Sequence, residues 1–252
     1  MPGPFLRSPG NFLWEGKMAG CPNIKQNEFN AVGSFHQEDS IALLSDDNIS
    51  QSKFYLFTKR ALDIAVASLI ILLVLPLIPV IVLLIKMDSR GPVLFRQTRV
   101  GKNGKVFDLY KFRSMVDGAE KALDSLRPLS NREGPIFKIE EDPRITRVGR
   151  FLRRSSLDEL PQIINVLKGD MSFVGPRPDV PDYVAQYLPW QRTRLKVTPG
   201  ITCFWQVTGR SHIGFQEWMR LDLEYIRTRS IKTDIKIIFK TFPAVIARKG
   251  AY

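Results

Sequence analysis

The stretch IAVASLIILLVLPLIPVIVLLI, residues 64–85, holds no charged side chain over about 22 positions. That length matches the hydrocarbon core of a bilayer, so the pattern predicts a membrane helix. The alternative is a buried helix of a soluble core, but such helices rarely stay apolar on every face over this length. The stretch therefore favours a protein attached to a membrane.

Proline and charge around this stretch indicate that it turns back within the membrane instead of crossing it. Pro76 and Pro79 lie near its middle, where proline removes a backbone donor and kinks a helix. Basic residues, which favour the cytoplasmic side of a membrane, flank both ends. They are Lys53, Lys59 and Arg60 before the stretch, and Lys86, Arg90, Arg96 and Arg99 after it. We predict that residues 53–90 form a re-entrant helix with its flanks, broken at Leu75-Pro76. An ordinary kinked crossing is the alternative.

The segment before the membrane stretch, residues 1–52, is rich in Gly, Pro, Asn, Ser and Asp and shows no sustained periodicity. This composition predicts a disordered polar leader. Its few apolar residues are scattered, so it does not have the continuous apolar region of a secretory signal.

Charge and cysteine content narrow the class of protein further. The net charge is +12, from 37 Lys and Arg against 25 Asp and Glu, which favours anionic partners such as phosphorylated substrates or acidic lipid. The two cysteines, Cys21 and Cys203, and the two histidines, His36 and His212, have no metal-ligand spacing. A zinc site is therefore not indicated, and the default is a cytosolic catalytic part without disulfides.

Beyond the membrane stretch, residues 91–252 show the mixed periodicity of an α+β domain that is mainly helical. Extended runs at 93–99 and 105–112 flank Lys102-Asn103-Gly104, and Asn-Gly between such runs predicts a β-hairpin. Apolar residues at helical spacing predict the helices that follow. These cover residues 118–126, 146–154, 161–168, 215–229 and 230–248, with Val148, Phe151 and Leu152 facing inward in the second of them.

The last predicted helix, residues 230–248, is amphipathic and basic. Its apolar stripe holds Ile231, Ile235, Ile238, Phe239 and Phe242, with Lys232, Lys236, Lys240, Arg248 and Lys249 around it. A basic amphipathic helix suits a membrane surface. Packing of the stripe against its own domain is the alternative.

The sequence lacks common phosphate-binding motifs but holds one suggestive pair of acids. It contains no P-loop, no GxGxxG run and no Asp-x-Asp pair. Asp158 and Glu159 follow the basic pair Arg153-Arg154 at the start of a predicted helix. Ser156 and Glu159 fit a capping box, so a structural role is one interpretation. The other is that a carboxylate held near arginines stays ionised and acts as a nucleophile or a metal ligand.

Two basic segments are candidates for binding phosphate. Arg177 stands between Pro176 and Pro178, which fix the backbone around it, and arginine matches phosphate oxygens in a bidentate way. A rigid surface turn is the alternative interpretation. The segment KFRSM, residues 111–115, adds two cations at the end of the hairpin, where simple solvation is the alternative.

Short segments in a fixed order along residues 59–241 resemble those of the bacterial sugar transferases, also called monotopic phosphoglycosyl transferases or polyprenyl glycosylphosphotransferases. They are KRALD (59–63), GPVLFRQ (91–97), KFRSM (111–115), DPRIT (142–146), LDELPQ (157–162), GDMSFVGPRP (169–178), PGIT (199–202) and LDLEY (221–225). Any one of them is a weak signal, whereas the ordered set is highly specific. Cys203 and Arg229 depart from the residues common in that family, and many members carry N-terminal transmembrane helices where this chain has its polar leader.

The resemblance implies transfer of a sugar 1-phosphate from a nucleoside diphosphate sugar, with uridine expected, to undecaprenyl phosphate. Asp158 would be the nucleophile that forms a phosphosugar-aspartate and would also bind Mg²⁺. Glu159 would assist in proton handling or metal organisation. The implied phosphate-binding and site-organising residues are Lys111, Arg153, Arg177, Arg210 and Asp222, with Pro176 and Pro178 shaping the nucleotide pocket.

The resemblance also implies a place in the cell and a set of partners. The protein would sit in the bacterial inner membrane, its catalytic part facing the cytoplasm, and would initiate exopolysaccharide or surface glycan synthesis. Membrane lipid and downstream glycosyltransferases would be partners. The basic charge would also suit a nucleic-acid binder, but the long uncharged membrane stretch is out of place in one. Two other classes stay open from the residues alone. A non-catalytic membrane adaptor would use the same anchor without needing Asp158, and a soluble-substrate glycosyltransferase is disfavoured by the missing Asp-x-Asp pair.

Overall fold

A long, kinked apolar helix opens the computed structural model, which describes residues 52–122, 126, 139, 142–208 and 214–246. The helix consists of α1 (Lys53–Val74), a 3₁₀ turn (Leu75–Leu77) and α2 (Ile78–Asp88). The break falls at the predicted position because Pro76 has no backbone N–H to donate. Within the described part of the chain, Lys53–Asp88 is the one helix long and apolar enough to cross a membrane by length and composition.

The predicted β-hairpin follows the kinked helix. β1 (Leu94–Val100) and β2 (Val106–Phe112) pair in antiparallel register, with Leu94 opposite Phe112. The turn between them contains Asn103 at φ 56°, a left-handed conformation that Asn tolerates better than most residues. The end of β2 thereby carries the KFRSM segment into the middle of the domain.

Helices form most of the rest, so the prediction of a mainly helical α+β fold is confirmed. They are α3 (Arg147–Arg154), α4 (Gln162–Lys168), α5 (Pro181–Ala185), α6 (Pro189–Arg192), α7 (Phe204–Thr208), α8 (Phe215–Thr228) and α9 (Ile231–Ile246). A 3₁₀ turn, Ala119–Ala122, replaces the first part of the helix predicted over 118–126.

A second, two-stranded sheet has no counterpart in the sequence prediction. β3 (Ser172–Val174) pairs in parallel with β4 (Gly200–Thr202). Just after β3 the backbones of the two segments approach so closely that a Cβ on Gly200 would lie 2.1 Å from the backbone nitrogen of Gly175. A side chain at Gly200 would therefore force the strands apart, and this contact fixes the start of the loop that carries Arg177.

Both arms of the kinked helix rest on the same domain. Lys59 of α1 donates to a carboxylate oxygen of Asp234 in α9 at 2.8 Å. One turn further along, Asp63 accepts a hydrogen bond from the hydroxyl of Ser172 in β3 at 3.0 Å. α1 also packs on α4, and α2 packs on α3. The helix therefore lies along the domain instead of projecting away from it.

The outward face of this helix is apolar and open. Its exposed large side chains, each 60% exposed or more, include Phe57, Leu72, Leu73, Leu83 and Met87. A continuous apolar face of this size is unfavourable in water and marks a surface that meets lipid or another apolar partner.

Two other helices present a different apolar face from the predicted one. Phe151 of α3, expected to face inward, is 56% exposed, because α3 turns Gly149 and Leu152 toward the domain. Gly149 lies so close that a Cβ there would fall 1.9 Å from the carbonyl oxygen of Ser114. Among the described side chains of α9, Asp234 and Ile237 are buried, whereas Phe239 of the predicted stripe is 69% exposed. α9 thus packs on the domain with one face and keeps an apolar face outward.

Candidate active site

A cleft of about 1280 Å³ lies among the hairpin, the turn after α3 and the loop after β3. Several predicted site residues meet along its wall: Lys111, Arg153, Asp158, Glu159 and Arg177. Pro176, Pro178 and Asp222 do not line it, and Arg210 lies outside the described residues.

The chain reaches the cleft through a left-handed turn at the end of α3. Ser156 has φ 57° and ψ 15°, and a 3₁₀ turn, Leu157–Glu159, follows it. Leu157 and Leu160 pack against the apolar cluster that contains Phe112. These two anchors hold the short turn between α3 and α4, and Asp158 lines the cleft from it.

The predicted capping box at this turn is wrong. Ser156 makes no side-chain capping hydrogen bond, because its left-handed conformation belongs to a turn and not to the start of a regular helix. α4 begins only at Gln162, with Pro161 as its cap. Ser156 and Glu159 therefore do not form the capping box at the start of α4 that the local pattern indicated.

Glu159 is clamped between two cations. The Lys111 ammonium donates to Oε1 at 3.0 Å, and the Arg177 guanidinium forms a two-pronged ion pair with both oxygens. Burial alone would disfavour the charged form, but Arg177 and Lys111 outweigh it and hold the pKa of Glu159 well below its usual range. Glu159 therefore stays ionised and orients the two cations toward the cleft.

Asp158 has a different environment, although it is the next residue. Its side chain lines the cleft and is 7% exposed. Burial raises the pKa of Asp158 to about 6, with the Lys111 ammonium acting in the opposite direction and the Glu159 charge adding to the rise. The carboxylate is therefore ionised at neutral pH and more basic than an ordinary aspartate, which is what a nucleophile needs.

Arg153 brings a third cation to the same wall. Its Nε donates to the hydroxyl of Ser114 at 2.8 Å, which ties the end of α3 to the segment that follows β2. Its charge also favours the ionised form of Asp158 and so lowers the pKa of that carboxyl against the effect of burial. Lys111, Arg153 and Arg177 together give the cleft a positive field, which favours anionic ligands.

Arg194, a residue that the sequence did not single out, supports the Arg177 loop from behind. It is 3% exposed and forms ion pairs with Asp179 at 2.6 Å and Asp222 at 2.7 Å. It also donates to the backbone carbonyl of Arg177 at 2.5 Å. Arg194 belongs to no motif and lies in an ordinary polar run, so no local signal identifies it.

Asp222 is fully buried in this ion-pair network, away from the cleft wall. Burial raises its pKa to about 7, against the opposing charge of Arg194 and with the charge of Asp179 adding to the rise. Its geometry fits a site-organising role that acts through Arg194. The sequence-based assignment of Asp222 to the site stays a prediction.

The side chains that could bind a metal ion decide how the predicted Mg²⁺ could be held. No group of three or more His, Cys, Asp or Glu side chains gathers among the described residues. Mg²⁺ is often held by one or two carboxylates together with substrate phosphates, so a protein cage is not needed. Glu159 is already engaged by Lys111 and Arg177, which leaves Asp158 as the carboxylate that fits the ion.

These environments predict a pH dependence of the reaction. If the Asp158 carboxylate attacks phosphorus, kcat/KM rises as pH increases through about 6 and levels off above it. Lys111→Met removes the cation that favours the ionised form, so the acidic limb should move to higher pH. The control is Lys105→Met, an exposed position on the same hairpin. An unchanged limb in the Lys111 variant would assign that titration to another group.

A family model described as bacterial sugar transferase matches residues 54–248, which is most of the chain and includes all the cleft residues discussed above. The kinked apolar helix, the acid pair and the basic cleft all lie within that match. The chain belongs to the bacterial sugar transferase family.

Curated relatives agree with this assignment. Galactosyl transferase CpsE of Streptococcus agalactiae is 46% identical over 79% of this chain and 45% of its own length. UDP-glucose:undecaprenyl-phosphate glucose-1-phosphate transferase of Escherichia coli is 45% identical over 77% of this chain and 41% of its own. Exopolysaccharide production protein ExoY of Rhizobium meliloti is 38% identical over 77% of this chain and 88% of its own length. The chain thus spans less than half the length of the first two and most of the third.

Proposed function

We propose that this protein transfers a sugar 1-phosphate from a uridine diphosphate sugar to undecaprenyl phosphate through a covalent intermediate on Asp158. The observation that carries the proposal is that two adjacent acids have pKa values shifted in opposite directions. Glu159 is locked to Lys111 and Arg177, whereas Asp158 lines the cleft with a raised pKa of about 6. The relatives named as sugar-phosphate transferases support the substrates.

In the first step, an oxygen of Asp158 attacks the phosphorus that bears the sugar. A bond forms between that oxygen and phosphorus, the bond to the bridging oxygen breaks, and UMP leaves with the electron pair. Arg177, Lys111 and Arg153 stabilise the charge that develops on the phosphate oxygens. In the second step, a phosphate oxygen of undecaprenyl phosphate attacks the same phosphorus and displaces the Asp158 carboxylate. The product is a lipid-linked diphosphate sugar, a substrate for downstream glycosyltransferases.

Asp158 and Glu159 have different roles in this scheme. Glu159 positions the two cations, since a carboxylate with so low a pKa is a poor carrier of protons. Asp158 acts as the nucleophile and would hold Mg²⁺, which when bound screens the negative charge of the diphosphate. Arg194 keeps the backbone of Arg177 in place behind the cleft.

The experiment that tests the function measures release of nucleoside monophosphate from a panel of nucleotide sugars. Purified protein is supplied with Mg²⁺, lipid and polyprenyl phosphate. We expect UMP from one or a few uridine diphosphate sugars, with multiple turnovers only when the lipid acceptor is present. If protein that is folded in lipid releases no nucleoside monophosphate from any sugar of a broad panel, the result would favour a non-catalytic membrane adaptor.

We further propose that the kinked helix dips into the cytoplasmic leaflet of the inner membrane. The contacts of both arms with one domain support this arrangement, since a helix bound to the domain along its length cannot leave it to span a bilayer. The exposed apolar side chains of its outer face, together with Phe151 and Phe239, would meet the lipid.

Labelling of single cysteines tests this topology. Ser52→Cys and Arg90→Cys place a thiol at either end of the helix, in a Cys21→Ser background where the remaining Cys203 is 1% exposed. We expect both positions to be protected from an impermeant reagent in sealed spheroplasts and labelled after permeabilisation. An ordinary crossing would leave one of the two labelled from outside.

A further inference from the structure

Arg113, at the end of β2, is a buried cation whose hydrogen-bonding capacity is only partly used. It is 6% exposed, and its Nη2 donates to the carbonyl oxygen of Ser89 at 2.6 Å and to the Ser89 hydroxyl at 3.0 Å. Its Nε and Nη1 are buried and have no hydrogen-bond partner in the described part of the chain. A buried guanidinium carries five donors that need acceptors, so unmet ones are costly unless a ligand supplies them.

Arg113 lies in the wall of the cleft, with Gly91 packed against its guanidinium. Arg113 lines the same cleft as Asp158, and the next residue, Ser114, binds Arg153. Gly91 takes φ 116° beside it, and a Cβ there would fall 2.3 Å from Nη1. Asp117 also lies close to Gly91, yet no carboxylate among the described residues forms an ion pair with Arg113.

This end of the cleft adjoins the membrane helix. Ser89, which accepts a hydrogen bond from Arg113, directly follows the last residue of α2. The outer face of α2 is apolar and open, with Leu83 60% and Met87 75% exposed. A phosphate carried on a hydrocarbon chain could lie along that face and reach Arg113 without leaving the membrane. A soluble nucleotide has no such need for an apolar approach.

We infer that Arg113 is the subsite for the phosphate of the lipid acceptor, distinct from the donor end organised by Glu159 and Arg177. The inference rests on the proposed function, since it assigns one of that reaction's two substrates to a position. The unused Nε and Nη1 donate to the acceptor's phosphate oxygens. Arg153, which donates to Ser114 next to Arg113, also acts electrostatically on Asp158 and so links this subsite to the nucleophile. The acceptor then arrives beside the phosphorus after UMP has left.

The two half-reactions test this assignment separately. The first is the release of UMP, in an amount equal to the enzyme, when no lipid acceptor is present. The second is transfer of labelled sugar phosphate to polyprenyl phosphate in vesicles of phosphatidylcholine. Arg113→Met is expected to leave the first half-reaction and the donor KM unchanged, and to raise the acceptor KM about tenfold or more. An equal loss in both half-reactions, or an unchanged acceptor KM, would overturn the inference.

Companion variants separate binding from folding. Ser89→Ala removes one neutral contact of Arg113 and keeps its charge, so the acceptor KM should change little. Arg113→Lys keeps one positive charge and should recover part of the acceptor affinity, which a purely structural role would not predict. If the Met variant does not fold, the Lys variant carries the test through its acceptor KM. Strong competition by phosphatidylglycerol would show a general headgroup site and would also overturn the assignment.

The outcomes distinguish this inference from the proposed function. Wild-type protein that releases no UMP from any donor contradicts the proposed function itself. Wild-type protein that turns over normally, with an Arg113→Met variant of unchanged acceptor KM, contradicts only the subsite.

Discussion

Asp158→Asn is expected to reduce turnover by about 10⁴-fold or more, because an amide cannot attack phosphorus and form the acyl phosphate. The measurement is lipid-dependent release of UMP by purified protein. Lys111, Arg153 and Arg177 still bind the donor in this variant, whereas the amide is a weaker ligand for Mg²⁺, so the donor affinity should fall far less than turnover. The loss should therefore fall on kcat.

The same substitution should leave folding intact. The pKa of Asp158 is raised to about 6 in the folded protein, so the folded state disfavours the charged form relative to the unfolded chain. Such a group costs stability as pH rises from its unfolded pKa to about 6 and above, which includes neutral pH. The Asn variant should thus be at least as stable as wild type at pH 7 and should still bind membranes. The matched control is Asp182→Asn, an exposed acid of α5 that should retain full activity. Full activity of Asp158→Asn would contradict the nucleophile assignment.

Arg194→Met should have the largest effect on stability. The substitution leaves Asp179 and Asp222 buried without their cation, and breaking a buried ion pair in this way costs about 3–5 kcal/mol. For a domain of this size we expect a Tm lower by about 6 °C or more in lipid nanodiscs. Arg192→Met, an exposed position two residues earlier, is the control and should change the Tm little. An Arg194 variant as stable as the control would mean that the network contributes nothing to folding.

A milder variant of the network addresses the role of Asp222. Asp222→Asn keeps Arg194 paired with Asp179, so its cost in unfolding free energy should be about 1 kcal/mol. Any loss of activity should come through the Arg177 loop. A large rise in donor KM with unchanged Tm would instead point to direct contact between Asp222 and the substrate.

Local patterns predicted the parts of the fold that local chemistry decides. The break at Leu75-Pro76 follows from proline, and the hairpin follows from Asn-Gly between extended runs. The end of α4 at Gly169 follows from the left-handed φ of 86° that glycine adopts there. Each of these features depends on a few neighbouring residues, so the sequence was sufficient.

Long-range contacts explain what the sequence could not predict. β3 and β4 have three residues each and pair across a long stretch of chain, so neither has a readable period. Phe151 has the spacing of a core residue but faces outward, because the close approach of Gly149 to Ser114, just after β2, sets the rotation of α3. The capping box failed for a similar reason, since the turn at Ser156 serves the cleft and not the helix.

In the candidate site, too, local patterns indicate some of the residues, whereas long-range contacts determine how they are arranged. The pattern drew attention to Asp158, Glu159 and Arg177, but only the fold brings Lys111 and Arg177 onto one carboxylate across 48 and 18 residues of sequence. Arg194 acts on the site entirely through buried contacts, which composition and spacing do not reveal.

Mass spectrometry of the protein after mixing with its donor sugar, in the absence of lipid acceptor, tests the central claim most directly. We predict a sugar-phosphate adduct on the peptide that contains Asp158, formed together with an equal amount of UMP and discharged by polyprenyl phosphate. The Asp158→Asn variant should form no adduct. Wild-type turnover that proceeds without any adduct, and without UMP release before the acceptor is added, would instead mean direct transfer between the two substrates and would contradict the account.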